Sequence, residues 1–452
     1  MRHFLARALG NRVSALGVAL TTASALLFLG LVVLEVLDYL ENPYAGIFVF
    51  LVVPALFVVG LLLIPFGFWL QRRRVAAGEE PGWPVLDLSN ANARRALIFV
   101  VTATIVNLAI LALASYGAVE YSESQTFCGQ ACHTVMEPEF VAHQNGAHAK
   151  VHCVSCHVGP GARGMITAKL NGLRQVYMLA TNTYRHPIPT PVHNLPSVVY
   201  TCQECHWPDR VIGDKVKVIA EHANDEANTP TAMTVKLHVG GATLGGGHGA
   251  GIHWHTNPAN AIEYVALDDK REQIPYVRRT APDGTVHEYY GENVKPADIE
   301  GKPRRQMDCL DCHSRPAHRF GDSPDREVDA AITSGQIDRG IPFVRREAVK
   351  ALATDYPTRE AAAAEIDKSM RAALVTSSSQ GVDQAALGRA IAATQAIYSR
   401  SIFPTMKVTW GSYANQRGHT TANGCFRCHD DLHKTAAGRA IGQDCESCHT
   451  IE

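Results

Sequence analysis

The chain has 452 residues, with 42 Lys or Arg and 43 Asp or Glu, and its formal net charge is −1. This balance leaves no basic surplus to neutralise phosphates, which excludes nucleic acid as an expected partner. At roughly 100–200 residues per domain, the length allows several folded units. Long apolar runs fill the start of the chain, and all twelve cysteines lie after residue 127. A single soluble cytosolic domain is therefore excluded as well.

Three apolar segments occupy the first 118 residues, at 14–34, 45–70 and 96–118. Each is long enough to cross a hydrocarbon core of about 30 Å as a helix. The flanking segments 1–12 and 71–95 are rich in arginine, whereas 35–44 carries acids and no Lys or Arg. Arginine marks cytoplasmic flanks. We therefore expect a three-pass protein of the cytoplasmic (inner) membrane, with a cytoplasmic N-terminus and a periplasmic remainder.

The twelve cysteines form six pairs, and a histidine follows each pair directly. The first pair has the spacing CxxxCH and the other five have the spacing CxxCH. The six motifs are Cys128/Cys132/His133, Cys153/Cys156/His157, Cys202/Cys205/His206, Cys309/Cys312/His313, Cys425/Cys428/His429 and Cys445/Cys448/His449. CxxCH is the signature of covalent haem attachment, with the histidine placed to bind the iron. Zinc sites and redox disulfides also use CxxC, but neither requires a histidine after every pair. The sequence predicts six covalently attached haem c groups and six proximal histidine ligands.

Each haem iron usually takes a second axial ligand. A histidine close in sequence to a proximal histidine lies on the same side of that haem, so we expect it to serve a neighbouring haem. The best distal candidates are His148, His318, His419 and His433. The segment GIHWHTNP adds His253 and His255, which would share one face if the segment were a strand.

The chain divides by composition into six regions. We expect a three-helix membrane anchor in 1–118, haems one to three in 119–210, an inserted β-rich unit in 211–308, the fourth haem in 309–324, a helical segment in 325–405, and haems five and six in 406–452. The turn signal Pro282-Asp283-Gly284 predicts a hairpin within the β-rich unit. The expected fold class is a mainly α membrane protein with a loop-rich extracytoplasmic multihaem domain, a small inserted β unit and a helical segment.

Several motif segments resemble the NapC/NirT family of membrane-anchored multihaem c-type cytochromes, which are quinol dehydrogenases. The resemblance is carried by FCGQACHTVMEPEF, GAHAKVHCVSCHVGPG, TCQECHWP and MDCLDCHSRPAHRF. The three apolar segments and six motifs are most similar to the inner-membrane multihaem cytochromes of metal-reducing bacteria. This resemblance implies a role in anaerobic respiration, in which quinol, with menaquinol the expected species, is oxidised. It also implies that the partners are the membrane quinone pool and a periplasmic acceptor or cytochrome.

The resemblance further implies a quinol site beside the first haem, built from an axial methionine, a lysine and a carboxylate. Met136 would be the methionine, although the CxxxCH spacing leaves His133 as the other axial option. Lys169 would be the lysine. No acid lies between Lys169 and Cys202, so Glu137 or Glu139 is the expected carboxylate.

Two other functions are consistent with the motifs. A terminal multihaem reductase would need one iron without a distal ligand, at which a small substrate could bind. A haem-wire subunit that anchors a larger respiratory complex would need no quinol site of its own. The many spare histidines favour the quinol dehydrogenase over the reductase, and only quinol oxidation separates it from the anchor subunit.

Overall fold

The computed structural model describes residues 12–36, 52–75, 89, 91–131, 133–192, 195–206, 213–240, 251–257, 260–376 and 381–452. These residues belong to two compact units, Met1–Cys132 and His133–Glu452. Cys132 and most of the arginine-rich flanks at 1–12 and 71–95 lie outside the described residues. So does the start of the predicted apolar segment 45–70.

The described part of the first unit is helical. Its helices are α1 (Arg12–Val36), α2 (Val53–Val75) and α3 (Ala91–Glu123). Among the described residues, the window Val53–Leu70 is long and apolar enough to cross a membrane by length and composition. A shorter apolar stretch covers Leu16–Leu31. The helices overlap all three predicted apolar segments, but three membrane crossings remain a prediction.

Small residues let α1 and α2 approach closely. A Cβ atom built on Gly60 would lie 2.5 Å from Oγ1 of Thr21, and one built on Gly67 would collide with Oγ of Ser14. The Ser14 hydroxyl also donates a hydrogen bond to the carbonyl of Ile64, at 3.1 Å. Close backbone approach through Gly and Ser is typical of helix pairs in membranes. A larger side chain at either glycine would force the two helices apart.

The first helices of the second unit are mostly short, and some of them carry motif residues. They are α4 (His133–Gln144), α5 (Cys153–His157), α6 (Gly161–Ala180) and α7 (Val198–Thr201), followed later by α8 (Pro296–Ile299) and α9 (Cys309–Cys312). Helices α5 and α9 each carry the two cysteines of one motif. These haem motifs therefore lie on single helical turns rather than on long elements.

Two antiparallel sheets lie between and after these helices. The strands are β1 (Lys215–His222), β2 (Pro230–Leu237), β3 (Ala261–Val265), β4 (Tyr276–Thr280), β5 (Val286–Tyr290), β6 (Arg305–Gln306) and β7 (His449–Ile451). The strand orders are β1-β2-β7 and β5-β4-β3-β6. The predicted hairpin joins β4 to β5, with Gly284 in the left-handed region at φ 81°. Strand β7 comes from the C-terminal end of the chain, so the sheet of β1 and β2 extends beyond the predicted 211–308 unit.

The predicted helical segment folds around its own apolar core. Its helices are α10 (Pro324–Thr333), α11 (Val344–Ala353), α12 (Arg359–Thr376) and α13 (Gln384–Ser401). Fully buried side chains from all four helices, such as Val328, Leu352, Ile366 and Leu387, meet in one cluster. Ser323 and Asp383 accept hydrogen bonds from the first backbone amides of α10 and α13, as N-cap residues do. The described chain is thus a mixed fold, mostly helical, with two small sheets.

Candidate haem centres

Most of the motifs fold into one helical turn. The histidine amide donates to the carbonyl of the first cysteine in three motifs, His206 to Cys202 at 2.7 Å, His313 to Cys309 at 2.8 Å and His429 to Cys425 at 3.0 Å. Residues three and four positions apart lie on the same face of such a turn. Both thiols and the imidazole can therefore meet one porphyrin, as covalent haem attachment requires.

The second cysteines of the CxxCH motifs differ in burial. Burial raises the pKa of the Cys156 thiol, and it raises the pKa of Cys312 to about 11 and that of Cys428 to about 12. Cys205 is instead exposed, and the third motif forms a hydrogen-bonded turn that follows the end of α7 at Thr201. The expected haem thioether at Cys205 stays a prediction, since its thiol is the least enclosed of these four.

The sixth motif departs from the helical turn. Its 3-10 helix Cys445–Ser447 ends at Cys448, and His449 begins strand β7. The carbonyl of Cys448 accepts a hydrogen bond from the amide of His238, just after β2, at 2.9 Å. Cys448, within the predicted 406–452 segment, is therefore tied to the sheet that contains β1 and β2. Its haem thioether also stays a prediction.

Five of the six motif histidines have a second imidazole beside them. The distances between ring centres are 6.2 Å for His157–His318, 5.8 Å for His206–His148, 6.4 Å for His313–His253, 5.7 Å for His429–His255 and 6.1 Å for His449–His419. The side chain of the sixth, His133, is not among those described. Two metal–imidazole bonds of about 2 Å each would place ring centres about 6 Å apart. Ordinary contacts between aromatic rings cover the same range of distances. The orientation of the rings must therefore decide whether a pair is arranged to bind one metal ion.

Hydrogen bonds orient four of these rings. In His318, Nδ1 lies 2.8 Å from the backbone carbonyl oxygen of Glu139, and in His148 it lies 2.9 Å from that of Pro316. In His255, Nδ1 lies 2.8 Å from the carbonyl oxygen of Ile252, and in His429 it lies 2.9 Å from that of Gly442. Because a carbonyl can only accept, each Nδ1 must carry the proton. This tautomer leaves the lone pair on Nε2, which is the arrangement found in metal-binding histidines.

Burial favours the neutral form of four imidazoles in these pairs. It lowers the pKa of His318 to about 4, and it also lowers the pKa of His157, His255 and His313 below the ordinary value. Iron binds the neutral ring through a free lone pair, so the low pKa favours the ligating form. The ring-centre distances therefore fit five haem centres with two histidine ligands each, and the oriented rings of His318, His148, His255 and His429 belong to three of them.

His433 has a role different from the one expected. The ring is 4% exposed, with Nδ1 2.9 Å from Oδ1 of Asp430 and Nε2 2.7 Å from the carbonyl of Ile274. Both nitrogens thus face protein oxygens, and neither is available to an iron. The side chain instead ties the loop after the fifth motif to the segment that enters β4. Proximity to a motif in sequence was not enough to make this histidine a ligand.

The segment GIHWHTNP is not a strand. Ile252–Thr256 forms a 3-10 helix, in which three residues make one turn. Two residues that are two positions apart therefore point in different directions instead of sharing a face. His253 faces His313, whereas His255 faces His429.

Neighbouring motifs contact one another directly. The thiol of Cys202 in the third motif hydrogen-bonds that of Cys309 in the fourth. The side chain of Arg427, inside the fifth motif, donates to the carbonyl of Asp311, inside the fourth, at 2.6 Å. Haems held by these motifs would therefore lie side by side.

Sequence reasoning missed a buried charge cluster in the fourth motif. Asp311 is 2% exposed and accepts hydrogen bonds from Tyr264 at 2.5 Å, Arg271 at 2.8 Å and Arg305 at 3.1 Å. Buried carboxylates need such partners. The cluster fastens motif CLDCH to the four-stranded sheet. The sequence signal for this cluster was Asp311 itself, an acidic residue between two cysteines that would face an apolar porphyrin.

The two glutamates near the first motif differ in their surroundings. Glu137 is ion-paired with Arg359 of α12. Oε2 of Glu139 is buried and has no hydrogen-bond partner among the described residues, while Oε1 lies 3.4 Å from the Tyr413 hydroxyl. Burial raises the pKa of Glu139 to about 7. Glu139 is therefore poised to exchange a proton near neutral pH.

Met136 and Lys169 lie on separate helices. Met136 is half-buried on α4, one turn after His133. Lys169 is exposed on α6, where Ile166, Leu170, Leu173 and Tyr177 are 56–67% exposed. These spacings of three and four residues put Lys169 within an apolar stripe on one face of the helix.

Comparisons with known proteins agree with these motifs. The NapC/NirT cytochrome c family, N-terminal region, matches residues 90–188. The chain is 40% identical over 451 residues to cytochrome c-type protein ImcH of Geobacter sulfurreducens, which covers 98% of this chain and 88% of that protein. No solved structure matches the chain.

Proposed function

This chain belongs to the NapC/NirT cytochrome c family and is a multihaem c-type cytochrome that transfers electrons. From this we propose that it is a membrane-bound quinol dehydrogenase. It carries six haems, takes electrons from quinol and passes them to a periplasmic acceptor or cytochrome. The observation that carries the proposal is the set of five motif histidines that each stand beside a second imidazole. Irons with two histidine ligands are suited to transferring electrons, whereas a reductase needs an open iron.

The side chains that hold the haems follow from the contacts. The two cysteines of each motif form the thioethers, and the histidine after them binds the iron. His318, His148 and His419 provide the second ligand for the haems of His157, His206 and His449, respectively. At the first centre the axial ligand is His133 or Met136, both on the first turn of α4. Each bound haem supplies a one-electron carrier. A quinol releases two electrons, so neighbouring haems are needed to clear them one at a time.

Lys169 and Glu139 form the proposed quinol site. A lipid-soluble quinol approaches from the membrane, and the exposed apolar stripe of α6 is suited to lie at a membrane surface. Lys169 within that stripe donates a hydrogen bond to the quinol oxygen. Glu139 accepts the proton through its buried Oε2, which lacks a partner among the described residues. Glu137 is the weaker candidate because Arg359 already neutralises it.

The arrangement in the membrane follows from charge. Arginines in 1–12 and 71–95 hold those segments in the cytoplasm, so three helices cross the inner membrane and the second unit is periplasmic. This places the haems on the side where covalent haem attachment and periplasmic acceptors occur.

The test is reduction of the purified holoprotein by a menaquinol analogue. Lys169→Met should slow haem reduction by quinol roughly five- to a hundredfold, because losing one polar contact in the transition state costs about 1–3 kcal/mol. Reduction by dithionite should be unchanged. Lys215→Met, at an exposed position on β1, is the matched control and should react normally.

The carboxylate is tested in the same way. Glu139→Gln should slow reduction by quinol, whereas Glu137→Gln should not. Normal rates in both Lys169→Met and Glu139→Gln would contradict this site. If quinol does not reduce the wild-type protein, the chain is an anchor subunit instead. A high-spin iron that binds nitrite would favour the terminal reductase.

A further inference from the structure

The 3-10 helix Ile252–Thr256, here called the double-histidine turn, is held firmly by the four-stranded sheet. Trp254 packs against the apolar cluster of that sheet, and the Arg279 guanidinium of β4 lies 4.8 Å from the centre of its ring. Asn260 donates to the Trp254 carbonyl at 3.3 Å, and Arg279 donates to the Asn260 side chain at 3.2 Å. The histidines on either side of Trp254 therefore have fixed positions.

The two histidines of this turn face two different motifs. Nε2 of His255 lies 3.5 Å from Nε2 of His429, and both rings donate from Nδ1 to backbone carbonyls. The two Nε2 atoms therefore point at each other, an arrangement that a positive centre between them, a metal ion or a shared proton, would stabilise. The ring centres of His253 and His313 lie 6.4 Å apart, with the two ring planes inclined by 17°, and Nδ1 of His253 is buried without a hydrogen-bond partner among the described residues.

We infer that the double-histidine turn supplies the second axial ligand to two irons at once, His253 to the haem of the fourth motif and His255 to the haem of the fifth. The inference rests on the haem content proposed above. It does not depend on the quinol site.

The double-histidine turn links two groups of motifs that the other histidine pairs leave separate. His148 precedes the second motif and faces the third, and His318 follows the fourth motif and faces the second. His419 precedes the fifth motif and faces the sixth. These pairs connect motifs two to four with one another, and motif five with motif six. Among the described residues, the double-histidine turn alone connects the two groups through ligands.

A direct contact supports this connection. Arg427 is a buried residue of the fifth motif, and it donates to the Asp311 carbonyl of the fourth motif at 2.6 Å. It also donates to the Arg271 carbonyl at 2.8 Å. Electrons that reach the fourth haem can thus continue to the fifth, and the inserted unit has the role of coupling the N-terminal haems to the C-terminal pair.

The test replaces each ligand with methionine. In the oxidised holoprotein, His253→Met and His255→Met should each give the near-red charge-transfer band of methionine-ligated iron, at the intensity of one haem in six. The double variant should give twice that intensity. His287→Met, on β5 of the same sheet, is the matched control and should give no such band beyond any that the wild-type protein shows. Haem content should be unchanged in all four proteins.

A second pair of variants guards against loss of folding. His253→Gly and His255→Gly should each create one high-spin iron, and added imidazole should return it to low spin by occupying the vacated position. A protein that retains all its haems, with neither a methionine band nor a high-spin signal in these variants, would overturn the inference. Such a result would leave the proposed quinol oxidation intact, because that activity is measured separately.

Discussion

Nε2 of His255 and Nε2 of His429 lie 3.5 Å apart, although 174 positions separate the two residues in the chain. The contact brings the 3-10 helix of the inserted unit onto the fifth CxxCH motif. Each ring is oriented by a hydrogen bond from Nδ1 to a carbonyl, of Ile252 and of Gly442 respectively. A distant element and a local motif thus combine into one candidate centre, and His318 likewise stands beside the distant motif histidine His157, with ring centres 6.2 Å apart.

The first prediction concerns the number of haems. Six cysteine pairs each precede a histidine, so mass spectrometry of the denatured protein should show six covalent haem additions. Cys128→Ser combined with Cys132→Ser should remove one addition and leave the other five. A wild-type protein with five additions would mean that one motif, with CxxxCH the first to examine, is not used.

The second prediction concerns topology. Reporter fusions after residue 80 and after residue 125 should give opposite readouts, cytoplasmic for the first and periplasmic for the second. The reason is the arginine-rich segment 71–95, which resists transfer across the membrane. A fusion within 1–12 should match the first readout. Identical readouts from the fusions after 80 and 125 would contradict three crossings.

The third prediction concerns the buried cluster of the fourth motif. Asp311→Asn should lower the free energy of unfolding of the holoprotein by about 2–4 kcal/mol, because Arg271 and Arg305 lose the charge that compensates their burial. Denaturant unfolding followed by far-UV circular dichroism measures the change.

Glu263→Gln is the matched control for that substitution. It breaks the ion pair with Arg278 in the same sheet, where both side chains are about one-third exposed. Exposed pairs contribute only about 0–1 kcal/mol, so the control should unfold almost like the wild type. Equal effects of the two substitutions would show that Asp311 is not a structural anchor.

The fourth prediction separates two histidines that lie at similar distances from motifs in sequence. His433→Ala should leave every iron low-spin, since both nitrogens of His433 bond protein oxygens, but it should destabilise the fold by about 1–3 kcal/mol. His318→Ala should instead create one high-spin iron. Electron paramagnetic resonance of the oxidised proteins distinguishes the two. A new high-spin signal in His433→Ala would make that residue a ligand after all.

The local features of this protein could be read from its sequence. The cysteine and histidine spacing encodes a single helical turn, because residues three and four apart share a face, and the structure forms that turn at Cys309–Cys312. The hairpin at Pro282-Asp283-Gly284 and the four alanine-rich helices also follow from neighbouring residues. Each depends on backbone preferences that act within a few positions.

The same spacing does not determine the surroundings of a motif. Cys448 has the CxxCH spacing of Cys312, yet His449 after it enters a strand that pairs with β2. Cys205 has that spacing as well, but it lies exposed beyond the end of a short helix. Pairing with a distant strand and the length of the preceding helix are tertiary outcomes, so identical motifs receive different environments.

The partner of each motif histidine was decided only by tertiary structure. His433 and His318 both follow a motif histidine closely in sequence. In the structure, however, Nε2 of His433 contacts the carbonyl of Ile274, whereas the His318 ring faces the motif histidine His157. His253 and His255 diverge because their segment winds into a 3-10 helix against a sheet instead of joining it as a strand. Which imidazoles meet depends on how separate elements of the chain pack, and sequence spacing carries no record of that packing.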